Sequence, residues 1–113
     1  MIKTDLNIEP GHYAVIFASE RPLDPPGYAE MDEATMKAAS SIDGYLGYEV
    51  VRQGEAAIFI SYWRDQKAVR EWAMHALHKE AKKLGNTLWY DAYRSLVCQV
   101  EQSHLFTRLI NEK

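Results

Sequence analysis

Residues 45–63 read Tyr45-Leu46-Gly47-Tyr48-Glu49-Val50-Val51-Arg52, then Gln53-Gly54-Glu55, then Ala56-Ala57-Ile58-Phe59-Ile60-Ser61-Tyr62-Trp63. The first segment alternates loosely, with Leu46, Tyr48 and Val50 on one side, and reads as a strand. The middle three residues form a short turn in which Gly54 is free to take positive φ. The last segment carries Ile58, Phe59, Ile60, Tyr62 and Trp63 and reads as the second arm of a hairpin.

Upstream of the hairpin, Tyr13 to Ser19 is apolar, too short for a helix of its own, and reads as a strand. Asp24-Pro25-Pro26-Gly27 follows, where Asp24 is suited to cap a helix with Pro25 in its first turn. Tyr28, Met31, Thr35 and Ala38 then mark one helical face, which ends before Asp43-Gly44. Downstream, Asp65 caps a second helix from Gln66 to about Leu84, with or without a break midway, closed by Gly85. Its apolar stripe is Val69, Trp72, Ala73, Ala76 and Leu77. Trp89 to Tyr93 reads as a short turn or an extra helical turn, and Arg94 to Glu101 as the last strand. Leu105, Phe106, Leu109 and Ile110 follow at helical spacing in a tail that must pack somewhere.

The order strand, helix, strand, strand, helix, strand is the split β-α-β pattern of a ferredoxin-like α+β domain with an antiparallel four-stranded sheet. Both helices lie on one face of such a sheet. The first and third strands are apolar on both faces, so the other face also needs cover. A second copy of the chain, sheet against sheet in a two-fold homodimer, supplies it most economically.

With 113 residues the chain is one domain, residues 1–113, with a core over about 12–103 and a tail over 104–113. Folding a chain of this size buries roughly two-thirds of its unfolded surface, so no disulfide or metal staple is needed. Apolar residues make up 47% and charged residues 26%, which excludes disordered, collagen-like and coiled-coil classes. Thirteen basic against sixteen acidic residues give a net charge of −3, which argues against non-specific nucleic-acid binding. The longest apolar run is Tyr13 to Ala18, far short of the ~20 residues of a membrane helix. The opening Met1-Ile2-Lys3-Thr4-Asp5 does not read as a signal peptide. Cys98 is the only cysteine, so no internal disulfide forms and a cytoplasmic setting is expected.

Gly44-Tyr45-Leu46-Gly47-Tyr48-Glu49, Phe59-Ile60-Ser61-Tyr62-Trp63, and Trp72 and His78 with Trp89-Tyr90 and Tyr93 resemble the antibiotic-biosynthesis-monooxygenase-like proteins of the dimeric α+β barrel superfamily. The resemblance covers about residues 12 to 103. It implies a dimeric α+β barrel that holds a flat aromatic molecule between helices and sheet. In the cofactor-free mechanism of that family the pocket deprotonates a phenol, and the anion reacts directly with dioxygen. The cofactor-free oxygenases pair a Trp at the end of strand three with an Asn four positions earlier. Trp63 matches the first, and Phe59 stands at the second. The haem-degrading relatives use a helical Trp, a His ten residues on, and an Asn on strand one. Trp72 matches, Lys82 stands at the His position, and Tyr13 to Ser19 has no Asn. The resemblance therefore implies a cofactor-independent monooxygenase-like protein. Its alternatives are a binding dimer without turnover and, less well matched, a haem-binding relative.

Within that frame His78, at a helical position where the family often carries His, is the candidate catalytic base. Trp63, Trp72, His75, Trp89, Tyr93 and Tyr48 are the candidate substrate-binding residues, because indole and phenol rings line flat apolar pockets and place an N–H or O–H at one end. Glu71, His75 and His78 have a spacing able to hold a metal, but a solvated helix flank explains them more simply, and no metal or other cofactor is expected. Cys98 reads as a buried, inert thiol, and Lys79-Glu80-Ala81-Lys82-Lys83 as a solvated helix face with ion pairs. No Gly-rich phosphate loop, Ser-His-Asp spacing or Cys-x-x-Cys site is present.

Overall fold

A computed structural model of the chain describes residues 2–108. Four strands, β1 (Tyr13–Glu20), β2 (Tyr45–Gln53), β3 (Ala56–Trp63) and β4 (Ala92–Gln99), form one antiparallel sheet in the order β2-β3-β1-β4. Helices α1 (Tyr28–Ala39), α2 (Gln66–Met74) and α3 (Ala76–Leu84) cover one face. This is the expected ferredoxin-like α+β arrangement. Among the described residues no helix is long and apolar enough to cross a membrane.

The hairpin forms as read, with Tyr45 opposite Trp63 and Gln53 opposite Ala56. One detail differs. Leu46 is an extra residue between the Tyr45–Trp63 and Gly47–Tyr62 pairs. Such a bulge shifts the side-chain phase by one, so Tyr45, Tyr48, Val50 and Arg52 share the helix-covered face.

Three boundaries move for local reasons. Asp24 does not cap α1: the position before the helix is Gly27, at φ 79°, with no side-chain cap. Gly85 does not close the third helix in a left-handed cap. It stays right-handed at φ −60° and leads into one π-helical turn, Gly85–Trp89. The long second helix is broken at His75, whose extended backbone ends α2 and whose Nδ1 accepts from Leu77 N at 3.1 Å to start α3. Asp65 does cap α2, its carboxylate accepting from Ala68 N at 2.9 Å.

The last strand begins two residues early, at Ala92, because Asp91 N already donates to Glu20 O. The Lys79–Lys83 run is solvated, but among the described residues it makes no ion pair. Residues 101–108 form neither helix nor strand, and Leu105 and Phe106 stand exposed. Leu109 and Ile110 lie outside the described residues. Cys98 is half-buried on the helix-free face.

The core is centred on Trp63, only 1% exposed, with Ala39 of α1 and Ala68 of α2 against it. Small residues there let both helices approach the sheet. The entry to β2 is equally tight. Gly44 sits at φ +102°, and a Cβ built on it would meet the Ala68 Cβ at 2.7 Å. Arg64 N donates to Gly44 O at 2.7 Å, tying the same point to the end of β3.

Gly44→Ala is therefore expected to destabilise the fold by about 2 kcal/mol or more, since left-handed backbone alone costs a residue with a Cβ roughly 1–2 kcal/mol. Thermal unfolding followed by circular dichroism should show a fall in Tm on the order of 10 °C. An unchanged Tm would mean that α2 does not press on this turn.

Candidate functional site

Because β-strand side chains alternate, every second residue of each strand faces the helices. Val15, Phe17 and Ser19 of β1, Phe59, Ser61 and Trp63 of β3, and Tyr93, Ser95 and Val97 of β4 form the floor of a cavity of about 650 Å³. Tyr28, Met31 and Thr35 of α1, Trp72 of α2 and His78 of α3 form its roof, closed by Trp89 and Tyr90. The volume is that of an ordinary small-molecule site.

Its two ends differ. At one end Trp63 packs edge-on against Tyr45 and stacks on Trp72, with centroids 5.3 and 6.3 Å apart. Trp63 Nε1 donates to Ser61 Oγ at 2.9 Å, so this indole is fixed in place. Trp72 in turn lies 4.9 Å from the His78 ring and 5.2 Å from that of His75. Burial pushes the His78 imidazole below the usual histidine value. The Ala73 backbone opposes this in part, and Lys82 and His75 add to the lowering. His78 Nδ1 is buried without a hydrogen-bond partner.

At the other end Trp89, 6% exposed, packs edge-on to Tyr28 and donates from Nε1 to Pro26 O at 3.0 Å. Tyr90 OH donates to Tyr28 OH at 3.2 Å, and Phe17 bridges Tyr90 and Tyr93 with centroids 5.2 and 5.1 Å away. Burial and this hydroxyl contact raise the Tyr90 phenol well above its ordinary value, so it is no acid or base near neutrality. Arg21 lies over the Tyr28 ring at 3.9 Å. Between the two ends, Tyr48 stacks on Phe59 at 5.3 Å.

Of the residues singled out from sequence, Trp63, Trp72, Trp89, Tyr93, Tyr48 and His78 all line this one cavity. His75 does not line it; its ring caps α3 and packs on Trp72. Among the described residues no three His, Cys, Asp or Glu side chains come together as a metal-holding group. Sequence reading missed Phe17, Arg21 and Tyr28 as lining residues, while Tyr90, quoted beside Trp89, lines the cavity too. The signal for Arg21 was present, because it is the next in-phase position after Val15, Phe17 and Ser19.

The family model for antibiotic biosynthesis monooxygenases matches residues 29–84. The uncharacterised protein YqjZ of Bacillus subtilis (strain 168) is 36% identical over 105 residues, spanning 92% of each chain. The chain belongs to the antibiotic biosynthesis monooxygenase family. Its fold superposes on SnoaB, a cofactor-independent oxygenase from Streptomyces nogalater, with a TM-score of 0.69 at 11% identity, covering 82% of this chain and 96% of that one. Rv0793 from Mycobacterium tuberculosis gives a TM-score of 0.69 at 15% identity, covering 81% and 97%. In this member of the antibiotic biosynthesis monooxygenase family, the matched segment runs from α1 through α3 and so contains Trp63, Trp72 and His78. Arg21, Trp89 and Tyr93 lie outside it.

The lowered proton affinity of His78 has a stability consequence of fixed sign. The unfolded chain binds this proton at about pH 6.5, and the folded chain only at a lower pH. From pH 6.5 down to the folded value the unfolded state holds more protons, so stability falls as pH falls through that window. NMR titration should place the His78 midpoint below 6.5, and His78→Gln should flatten that part of the Tm-against-pH curve. A midpoint at or above 6.5 would show that the ring is solvated.

Proposed function

We propose that this chain is a cofactor-independent monooxygenase-like protein that takes a flat aromatic substrate in the cavity between its helices and sheet. The observation that carries the reading is the placement of His78: an imidazole tilted against Trp72, 4.9 Å away, on the wall of an aromatic cavity. Lowered proton affinity keeps this ring neutral near pH 7, the form a base requires. Trp63 and Trp72 hold the substrate ring, and Tyr48, Trp89 and Tyr93 extend the wall. His75 acts by fixing the start of α3, and so the position of His78.

The chemistry needs no outside reductant. His78 takes the hydroxyl proton of a phenol, and the phenolate gives one electron to dioxygen. The two radicals join through the carbon para to the hydroxyl, and the His78 imidazolium returns its proton to the peroxide oxygen. Loss of water from the resulting hydroperoxide, which takes the hydrogen of that carbon, leaves a quinone. One oxygen atom enters the product and the other leaves as water, with all four electrons supplied by the substrate. Phe59 stands where the resemblance expects Asn, and this favours the second reading: binding without turnover.

The partner we propose is a second copy of the chain. The helix-free face carries Ile16, Ile60 and Leu96 in one row and Val51, Ile58 and Ala18 in the next. Val51, Ile58 and Leu96 are 57%, 47% and 45% exposed, a contiguous apolar patch of the kind that marks an interface. The N-terminal segment and the tail meet this face around Tyr62 and Glu49, the residue paired with Ile60, and leave Val51, Ile58 and Leu96 exposed.

With anthrone as the probe, an oxygen electrode should record uptake coupled to anthraquinone absorbance, and His78→Ala should lower kcat on the order of a hundredfold or more. Saturable quenching of Trp fluorescence without uptake, for anthrone and for naphthols and quinols alike, would leave the binding dimer and remove the enzyme. Native mass spectrometry should give a dimer that Ile58→Glu converts to monomer; a wild-type monomer would refute the sheet-on-sheet pairing.

A further inference from the structure

Arg21 is a buried charge without a counter-charge. It is 8% exposed, and among the described residues it forms no ion pair. Its Nη1 donates to the carbonyls of Pro22 at 2.8 Å and Leu23 at 3.0 Å, and its guanidinium lies 3.9 Å over the Tyr28 ring. Its Nε is sealed from solvent with no partner. Buried ions are ordinarily paired, because leaving one uncompensated costs far more than exposing it. This side chain also lines the cavity.

The cavity's other charged residues point the same way. Arg52 lines it near Arg21 and Lys82 lines it on α3 near His78, against the single carboxylate of Asp32, so cations outnumber anions in the cavity on a chain whose net charge is −3. Asp32 does not cancel Arg21. It makes no ion pair with it, and loss of solvent raises its carboxyl above the usual range, against the pull of Arg21 and Arg52. Thr35 Oγ1, on the roof of the same cavity, is likewise buried and unpartnered. The strand register separates this pole from the other: Arg21 follows the end where Glu20 pairs with Ala56, while Trp63 pairs with Tyr13 at the opposite end.

We infer that the substrate is an aromatic acid, its ring between the aromatic walls, its carboxylate held by Arg21 with Arg52 at the rim, and its hydroxyl directed toward His78. With Nη1 given to two carbonyls and Nε sealed, Nη2 is the edge left for a carboxylate, which supplies the missing counter-charge. This inference rests on reading the cavity as the aromatic-substrate site. A cationic pocket on an anionic protein also draws such a ligand in and rejects cationic ones.

The test compares 6-hydroxy-2-naphthoate with its methyl ester in titrations of intrinsic Trp fluorescence. The acid is expected to bind about ten- to a hundredfold more tightly, the range of a charge-assisted hydrogen-bonded pair, and the difference should shrink as salt is added. Arg21→Gln should bring acid and ester to within about twofold of each other. Equal binding of acid and ester to the wild type, or a difference that survives in Arg21→Gln, overturns the inference while the aromatic cavity stands. Failure of both compounds to bind overturns the inference together with the cavity reading beneath it. The wild-type comparison needs no variant, so it decides the matter even if Arg21→Gln folds poorly. Arg21→Lys, which keeps the charge and loses Nη2, should retain only part of the preference.

Discussion

The structure depends on how one indole is held. Trp63 ends β3, its N–H is fixed by Ser61 two residues earlier, and its ring lies between Tyr45 and Trp72. Ala39 of α1 and Ala68 of α2 pack against it, small enough to let both helices close over the ring, and both are buried. The same ring that closes the core also forms a wall of the cavity. Burying a side chain of this size contributes a few kcal/mol. A substitution there would remove part of the core and part of the site together.

How far the sequence discloses this depends on the length scale of each determinant. The hairpin was legible because period-two alternation and a glycine turn are local signals, and β3 has the bounds read from sequence, Ala56–Trp63. Trp63 and Trp72 were legible together because strand end and helix stripe converge wherever a helix packs on a sheet, whereas His78, beside the stripe, was legible only through the family resemblance. The break at His75 was left open, since no Pro or Gly marks it; an imidazole accepting from Leu77 N makes it. The α1 start was misread because Asp24 has the chemistry of a cap but Gly27 has the backbone. Arg21 was missed for a different reason. Its phase after Ser19 marks the face it lies on, but its burial follows from the packing of Tyr28 and the chain at Pro22 and Leu23, which phase alone does not disclose.

Strand alternation also explains why a single sheet can serve two purposes. In β1 and β3, Phe17 and Phe59 face the cavity while Ile16 and Ile60 face away, one residue apart. A one-residue slip of either strand would exchange the two sets. Register is therefore fixed from both sides, and the pairing of all eight β1 residues with β3 is what such a double constraint produces. An apolar helix-free face is then a consequence of strands that are apolar on both faces.

The distribution of unpaired polar atoms carries the last step. Arg21 Nε, Thr35 Oγ1 and His78 Nδ1 are the buried side-chain atoms without a partner among the described residues, and all three belong to residues lining the same cavity. Each such atom costs about 1–3 kcal/mol, against a total stability of roughly 5–15 kcal/mol for a domain of this kind. A fold selected for stability alone would spread such defects or fill them with apolar side chains. Here they cluster on residues of one cavity, which makes its walls the part of the core least tuned for packing alone and the part where the proposed polar contacts with a ligand would add most.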